Sequence, residues 1–359
     1  AGLRAEHVWI GHMKSVCWIQ SEMPRGFTGA TYDMSGWCFA QAVMSAAVKV
    51  GYLLPTRERI MVGEPSARPV VKLAQQAEAL GFDSVWIGDS VTAKPRHDAL
   101  TMLAGVAAVT ERIELGTAVL LPMLRHPVLL AHQAATLDQL SEGRLILGVG
   151  TARDVPAIRR EFQATGVPFE KRIGRMLEGL RLMKALWAGD GPVSWDSLWQ
   201  VEDAVVAPTP FRAGGPPIWG GGSAESALLR AGRYFDGWFP SGPSDAQVFA
   251  ANLAKVRAYA EAAGRDPDAI TPAMYLTVAI DPDAAKAEAS LDAYLEAYYN
   301  QSAAHLRGHQ AAFAGAPADV AGWIAGFVDA GCRHLCIRPV GDDAEQMAQI
   351  MDMRAAFGG

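Results

Sequence analysis

From Val48 onward the chain alternates two hydrophobic patterns. Short runs that are apolar at nearly every position, "VKVGYLL", "DSVWIGD", "RIELGTAVL" and "RLILGVG", are separated by longer stretches such as "ARPVVKLAQQAEALG" and "PVLLAHQAATLDQLSEG". The short runs read as strands buried on both faces, since they leave no polar side for water. In the longer stretches apolar residues return every three or four positions, which reads as amphipathic helix. Pro near a start and Gly at an end suit a helix N-terminus and a left-handed C-terminal cap. "PPIWGGG", "DGWFPSG", "ITPAMYLTVAI" and "RHLCIRPV" continue the series to eight strands. Three helix-to-strand joints, "EALGFDSVWI", "RAGRYFDGWF" and "VDAGCRHLCI", repeat one theme of Gly near the helix end followed by a short apolar strand. Eight such units predict an α/β fold, a (β/α)8 TIM barrel with insertions. A doubly wound sheet with a second domain is the alternative. The insertions fall at about 190–215, a polar Trp-bearing segment that reads as a hairpin, and at about 300–316.

Residues 1–43 are rich in Trp, Met, Cys and Gly and show no clear period. We read 1–47 as an N-terminal extension outside the functional domain and 48–359 as the barrel. The 359 residues carry 32 basic and 38 acidic side chains, a net charge of −6, with no long basic run. That balance argues against nucleic acid or an anionic membrane as a partner. No apolar run is long enough to span a bilayer. The four cysteines, Cys17, Cys38, Cys332 and Cys336, are too scattered for a disulfide framework. They suggest reduced thiols and a cytoplasmic protein, with Cys332 and Cys336 on one face of a strand and no zinc site.

In a barrel the chemistry belongs at the strand C-termini. Those positions are Tyr52 and Leu54, Asp89 and Ser90, Thr117 to Leu120, Gly150 to Arg153, Gly220 to Ser223, Trp238 to Ser241, Thr277 and Arg338. Few are charged. They contain no paired carboxylates, no metal-ligand spacing and no nucleophile elbow. "WGGGSAESALL" is a Gly-rich turn opening a helix, with Ser223 as the expected N-cap. It suits an anion such as phosphate, or else only a tight turn. "LGVGTARD" lacks dinucleotide-fingerprint spacing. A mouth of this kind implies that a bound cofactor supplies the reactivity.

"LGTAVLLPMLRHPVLLAHQAATLDQLSEGRLILGVG" resembles a segment of the bacterial-luciferase-like flavin-dependent oxidoreductases. "GFDSVWIGD", "REFQATGVPFEKRIGRMLEGLRLMKALW" and "PPIWGGGSAESALLRAGRYFDGWFPSG" are similar to the same family, in the same order. The resemblance covers Val48 to the C-terminus. It implies a barrel that binds reduced FMN or the deazaflavin F420 at the strand C-termini. It also implies a non-prolyl cis peptide at Ala118–Val119, with Val119 under the ring. Cofactor contacts would come from Thr117, Ala118, Val119, Gly150, Thr151, Gly220, Gly221, Gly222 and Ser223. The apolar run Leu120–Leu124 would cover the ring and keep water out. Some F420-dependent members of the family carry His after the Asp of strand two, Trp a few residues on, and some carry Glu after strand four, and departures there argue against the sugar-phosphate dehydrogenase branch. Here Ser90, Lys94 and Arg153 stand near those places.

Asp89, His126 and Arg153 are the candidate catalytic or polar contacts. Each has a plainer alternative: loop cap, helix entry and solvated charge. His132 reads as a packing residue, Asp138 and Arg144 as a structural pair, and Trp219 and Trp238 as core or rim. Trp195 and Trp199 read as a substrate lid or as surface. Three functions follow. The first is a flavin-dependent monooxygenase that uses reduced flavin and O2 on a small apolar substrate, with a separate flavin reductase as partner. The second is an F420-dependent hydride-transfer oxidoreductase. The third is a non-catalytic flavin-binding or partner subunit. A homodimer is expected from the resemblance.

Overall fold

The computed structural model describes residues 47–357. The expected N-terminal extension lies, but for its last residue, outside the described residues. Eight parallel strands close into a barrel: β1 (Lys49–Leu53), β2 (Ser84–Ile87), β3 (Glu114–Thr117), β4 (Leu145–Val149), β7 (Ile218–Gly220), β8 (Gly237–Trp238), β9 (Thr271–Ile280) and β11 (His334–Val340). The ring closes where β11 pairs with β1, Gly51 facing Cys336, and where β8 pairs with β9. These are the eight strands that the apolar runs predict. Two further elements lie outside the ring. The 190–215 insertion is an antiparallel hairpin, β5 (Val193–Asp196) with β6 (Gln200–Ala204). β10 (Ala312–Gly315) adds to the far end of β9.

The layer around the barrel holds α1 (Arg68–Leu80), α2 (Ala99–Ala107), α3 (Pro127–Leu140), α4 (Pro156–Ala164), α5 (Arg172–Ala188), α6 (Glu225–Tyr234), α7 (Ala246–Ala262), α8 (Ala284–Tyr299), α9 (Ala303–Arg307), α10 (Pro317–Asp329) and α11 (Asp343–Phe357). α1 stops where Gly81 turns left-handed at φ 91°, the conformation its sequence position predicts. The Asp98 carboxylate accepts from Thr101 N at 2.9 Å and starts α2.

Large rings fill the barrel interior. Trp86, Trp219, Phe239 and His334 meet with centroids about 5 to 6 Å apart. Glycines make the room: a Cβ on Gly51 or Gly116 would strike the Trp86 ring, and one on Gly237 the Trp219 ring. His334 Nε2 and Ser84 Oγ lie 2.7 Å apart, and Trp86 Nε1 donates to the same oxygen. Burial pushes the His334 imidazole down to about 3, so it stays neutral.

Some local expectations need correction. Cys332 packs in the layer between barrel and helices while Cys336 faces the interior, because the strand begins only at His334. Asp138 and Arg144 do not pair. Asp138 takes Arg212 N at 3.0 Å, and Arg144 ties Thr110, Ile113 and Ala107 to the base of β4. His132 is exposed rather than packed.

Candidate active site

The barrel mouth has two chemically different halves. One spans β3, β4 and β7. The Ala118–Val119 peptide is cis, as the family resemblance implies. Ala118 and Val119 are half-buried and rest on the interior cluster of Trp86, Trp219 and Phe239. Glycines flank Val119. A Cβ on Gly150 would stand 2.5 Å from Val119 Cγ2, and one on Gly221 would sit 3.9 Å from Val119 Cγ1 and 3.2 Å from the Phe239 carbonyl oxygen. The result is a shallow cradle around Val119 that any side chain at either glycine would fill.

Next to it the 220–223 turn enters α6. Gly222 has φ 103°, and its carbonyl accepts from Trp238 Nε1 at 3.0 Å. Ser223 is not the N-cap. Ala224 holds that place without a side-chain cap, and Ser223 Oγ donates to the Gly242 carbonyl at 2.6 Å. The first N–H groups of α6 are therefore left for another acceptor, which is what an anion site requires. Thr117 Oγ1 is spent on the Gly148 carbonyl at 2.8 Å. The Thr151 carbonyl accepts from Arg172 Nε at 3.0 Å.

The other half spans β1, β2, β9 and β11, and it is not apolar. Arg57 follows β1, and Lys94 and Arg96 lie in the loop after β2. Arg338 comes from β11, Tyr275 from β9, and Tyr294, Tyr298 and Tyr299 from α8. Arg338 Nε donates to Tyr275 Oη at 2.7 Å, and Arg338 also meets Tyr294 Oη and the Glu58 carboxylate. Arg96 Nη2 donates to Tyr298 Oη at 3.1 Å. Its Nη1 stands over Gly88, where a Cβ would collide with it and would lie 3.5 Å from the Ala118 carbonyl oxygen. Lys94 Nζ lies 4.1 Å from the Tyr299 ring centroid, and Arg57 lies 5.0 Å from that of Tyr298. Burial, then Arg96, Arg57 and Arg153, lower Lys94 to about 7. Burial alone is the leading cause that lowers Arg338, to about 9, so its guanidinium remains charged at neutral pH.

The predicted polar contacts are placed as follows. Both oxygens of Asp89 bind Arg125, at 2.7 and 3.0 Å, and one also accepts from Leu121 N at 3.0 Å. The carboxylate thus clasps the loops after β2 and β3, and its side chain is 2% exposed. His126 is exposed at the entry to α3. Its ring accepts from Val128 N at 3.3 Å and meets Trp199 edge-on at 5.1 Å. Arg153 is exposed at the rim, near enough to bear on Lys94. Trp195 donates to Glu178 of α5, and Trp199 is buried under Arg175, so the hairpin docks on the helix layer and does not form a lid. Leu120, Leu121, Met123 and Leu124 also pack into that layer, so the run Leu120–Leu124 does not cover the mouth as expected, and Ala118 and Val119 just before it rest on the interior cluster instead.

A groove of about 480 Å³ lined by Leu180, Lys184, Phe235 and Arg265 opens beside the start of β7. That is the strand N-terminal end, the wrong end for barrel chemistry. Among the described residues no cluster could hold a metal ion, and no helix is long and apolar enough to cross a membrane.

The sequence matches the luciferase-like monooxygenase family over residues 48–358, and the chain belongs to that family. It is 33% identical over 269 residues to a phthiodiolone/phenolphthiodiolone dimycocerosates ketoreductase of Mycobacterium sp. (strain JLS), covering 66% of this chain and 70% of the relative. It is 27% identical over 334 residues to an F420-dependent glucose-6-phosphate dehydrogenase of Mycolicibacterium gilvum (strain PYR-GCK), covering 85% and 96%. An F420-dependent secondary alcohol dehydrogenase structure superposes with TM-score 0.75 at 20% identity, covering 87% of this chain and 99% of that one. The monooxygenase RslO1 from Streptomyces bottropensis gives 0.72 at 24%, covering 86% and 98%. These two likenesses establish the luciferase-like barrel fold.

Proposed function

We propose that this chain is a hydride-transfer oxidoreductase that uses the deazaflavin F420. The observation that carries the reading is the charged half of the mouth. Arg96 lies over Gly88, beside the cis peptide, with Lys94 and Tyr298 next to it. Oxygenation of a small apolar substrate calls for an apolar chamber, and this half is charged and polar. It also removes the ground for a non-catalytic barrel, which was a mouth poor in charge. One curated relative and one structural neighbour carry F420 in their names, which supports the same reading.

The cradle of Val119, Gly150 and Gly221 fits a flat ring, and the uncapped start of α6 with Gly221 and Gly222 fits its phosphate. F420, when bound, supplies a hydride donor or acceptor. The chain's own residues seat the ring, hold its phosphate and surround the reacting position with fixed hydrogen-bond donors. Burial keeps the Tyr275 hydroxyl protonated well above its ordinary range, and Arg338 fixes its direction.

A second reading is a monooxygenase working with reduced FMN. It is favoured by the apolar half of the mouth and by the family description. Titration of the purified protein with oxidised and reduced F420 and FMN separates the two, followed by O2 added to each reduced complex. F420 binding with no oxygen-dependent absorbance change supports hydride transfer. FMN binding with a transient oxygen-dependent species overturns it.

A further inference from the structure

Three cations at the mouth lack an ion-pair partner, and the one carboxylate that bears on Lys94, Glu161, is already committed to Ser90 Oγ and the N–H groups of Val91, Thr92 and Ala93. Among the described residues, Arg57, Lys94 and Arg96 form no ion pair, whereas their neighbour Arg338 has Glu58. Arg57 Nε is buried without a hydrogen-bond partner. Lys94 Nζ lies against the tyrosine rings of α8 with Glu161 beyond ion-pair distance, and Arg96 Nη1 has no acceptor. Burying three like charges together is costly unless an anion completes the set.

Such an anion could belong to the cofactor or to the substrate. The cofactor's phosphate has its own place at the start of α6, on the β7 side. The unpaired cations lie on the β1 and β2 side, with Arg96 beside the cis peptide where a substrate would face the ring. We propose that Lys94, Arg96 and Arg57 form a subsite for an anionic group of the substrate, a carboxylate or phosphate held next to the ring seat. The enzyme's substrates are then small organic anions, an assignment that rests on the hydride-transfer reading. Arg96 supplies a planar fork suited to paired oxygens, Lys94 a point charge, and the tyrosine rings a wall that holds both cations in place.

The test uses the whole chain without cofactor. Calorimetric titration with sulfate and with succinate measures the subsite directly. Wild type should bind at least one of them, and Lys94→Met and Arg96→Met should each weaken it about tenfold or more. Lys184→Met, in the remote groove, should change nothing. Circular dichroism confirms that each variant is folded, and should Arg96→Met not fold, Arg96→Lys serves in its place. No anion binding to wild type, or binding unchanged in folded variants, overturns the proposal. F420 titrated separately should bind wild type and variants alike. F420 affinity falling with anion affinity, with sulfate competing against F420, assigns the cluster to the cofactor's tail and overturns the substrate assignment. Anion binding as expected with no F420 binding would instead fail the hydride-transfer reading and leave the subsite standing.

Discussion

The two halves of the mouth face each other across one barrel and are built by opposite means. The half on β3, β4 and β7 is made by subtraction, because Gly150 and Gly221 remove side chains around Val119 and leave backbone to receive a ligand. The half on β1, β2, β9 and β11 is made by addition, with long cationic and tyrosine side chains converging from separate loops. The first offers shape and backbone N–H groups, and the second offers charge. A ring and an anion would therefore be recognised independently, and the two recognitions should be separable by substitution.

Asp89 stands where the halves join, and it should give the largest effect. It ties Leu121 N, just past the cis peptide, to Arg125 and to the loop that carries Lys94 and Arg96. Asp89→Ala leaves a mostly buried Arg125 with Asp98 alone. The loss should be about 3 kcal/mol. Thermal unfolding should register it as a fall of about 5 °C. An unchanged melting temperature with turnover abolished would make Asp89 a reacting group and remove the join from the comparison.

The halves also differ in how they can be read. The glycine half comes from three short segments, "LGTAVL", "LGVGT" and "WGGGSAES", each a local pattern whose backbone demands show in the residue types. The cationic half is assembled from positions 57, 94, 96, 298 and 338, each of which alone reads as a loop charge or a helix tyrosine. A signal did exist. "PTRER" and "TAKPRHD" follow strands one and two directly, and post-strand loops converge in a barrel. The fold was legible because eight apolar runs of strand length recur, separated by helical stretches. β10 was not legible, because "AFAG" is too short to declare itself. The roles of Asp89 and His126 depend on Arg125, Val128 and Trp199, contacts that only the folded chain brings about.

Gly150→Ala should sharpen the comparison by touching one half alone. The new methyl group meets Val119 Cγ2 and drives it into the cradle. Overpacking of this kind costs about 1–3 kcal/mol. F420 affinity should fall by roughly tenfold or more. Sulfate affinity should not move. Equal losses for both ligands, in a variant whose melting temperature is unchanged, would show that the halves are one site.

Lys94→Met should give the smallest effect, and its sign is the informative part. Lys94 in the folded chain is lowered to about 7 by burial first and then by Arg96, Arg57 and Arg153, with Glu161 of α4 opposing them. Tyr298 and Tyr299 of α8 are its remaining neighbours. In the unfolded chain a lysine titrates near ~10.4. Between those values the unfolded state binds the extra proton, so this lysine makes wild-type stability rise with pH. Below 7 the ammonium is charged in both states, and its full cost falls on the fold. Met removes that cost, so at pH 6 the variant should melt higher than wild type, by roughly 1–2 °C for a cost of about 1 kcal/mol. The gap should close as pH rises past ~10.4, where the unfolded lysine also loses its proton and Lys94 becomes neutral in both states. Sulfate stays doubly charged over this range, so wild-type affinity for it should fall as pH rises through about 7. A variant that melts lower at pH 6 would mean that Lys94 already has a counter-charge, and the two halves would then not differ in the way their side chains indicate.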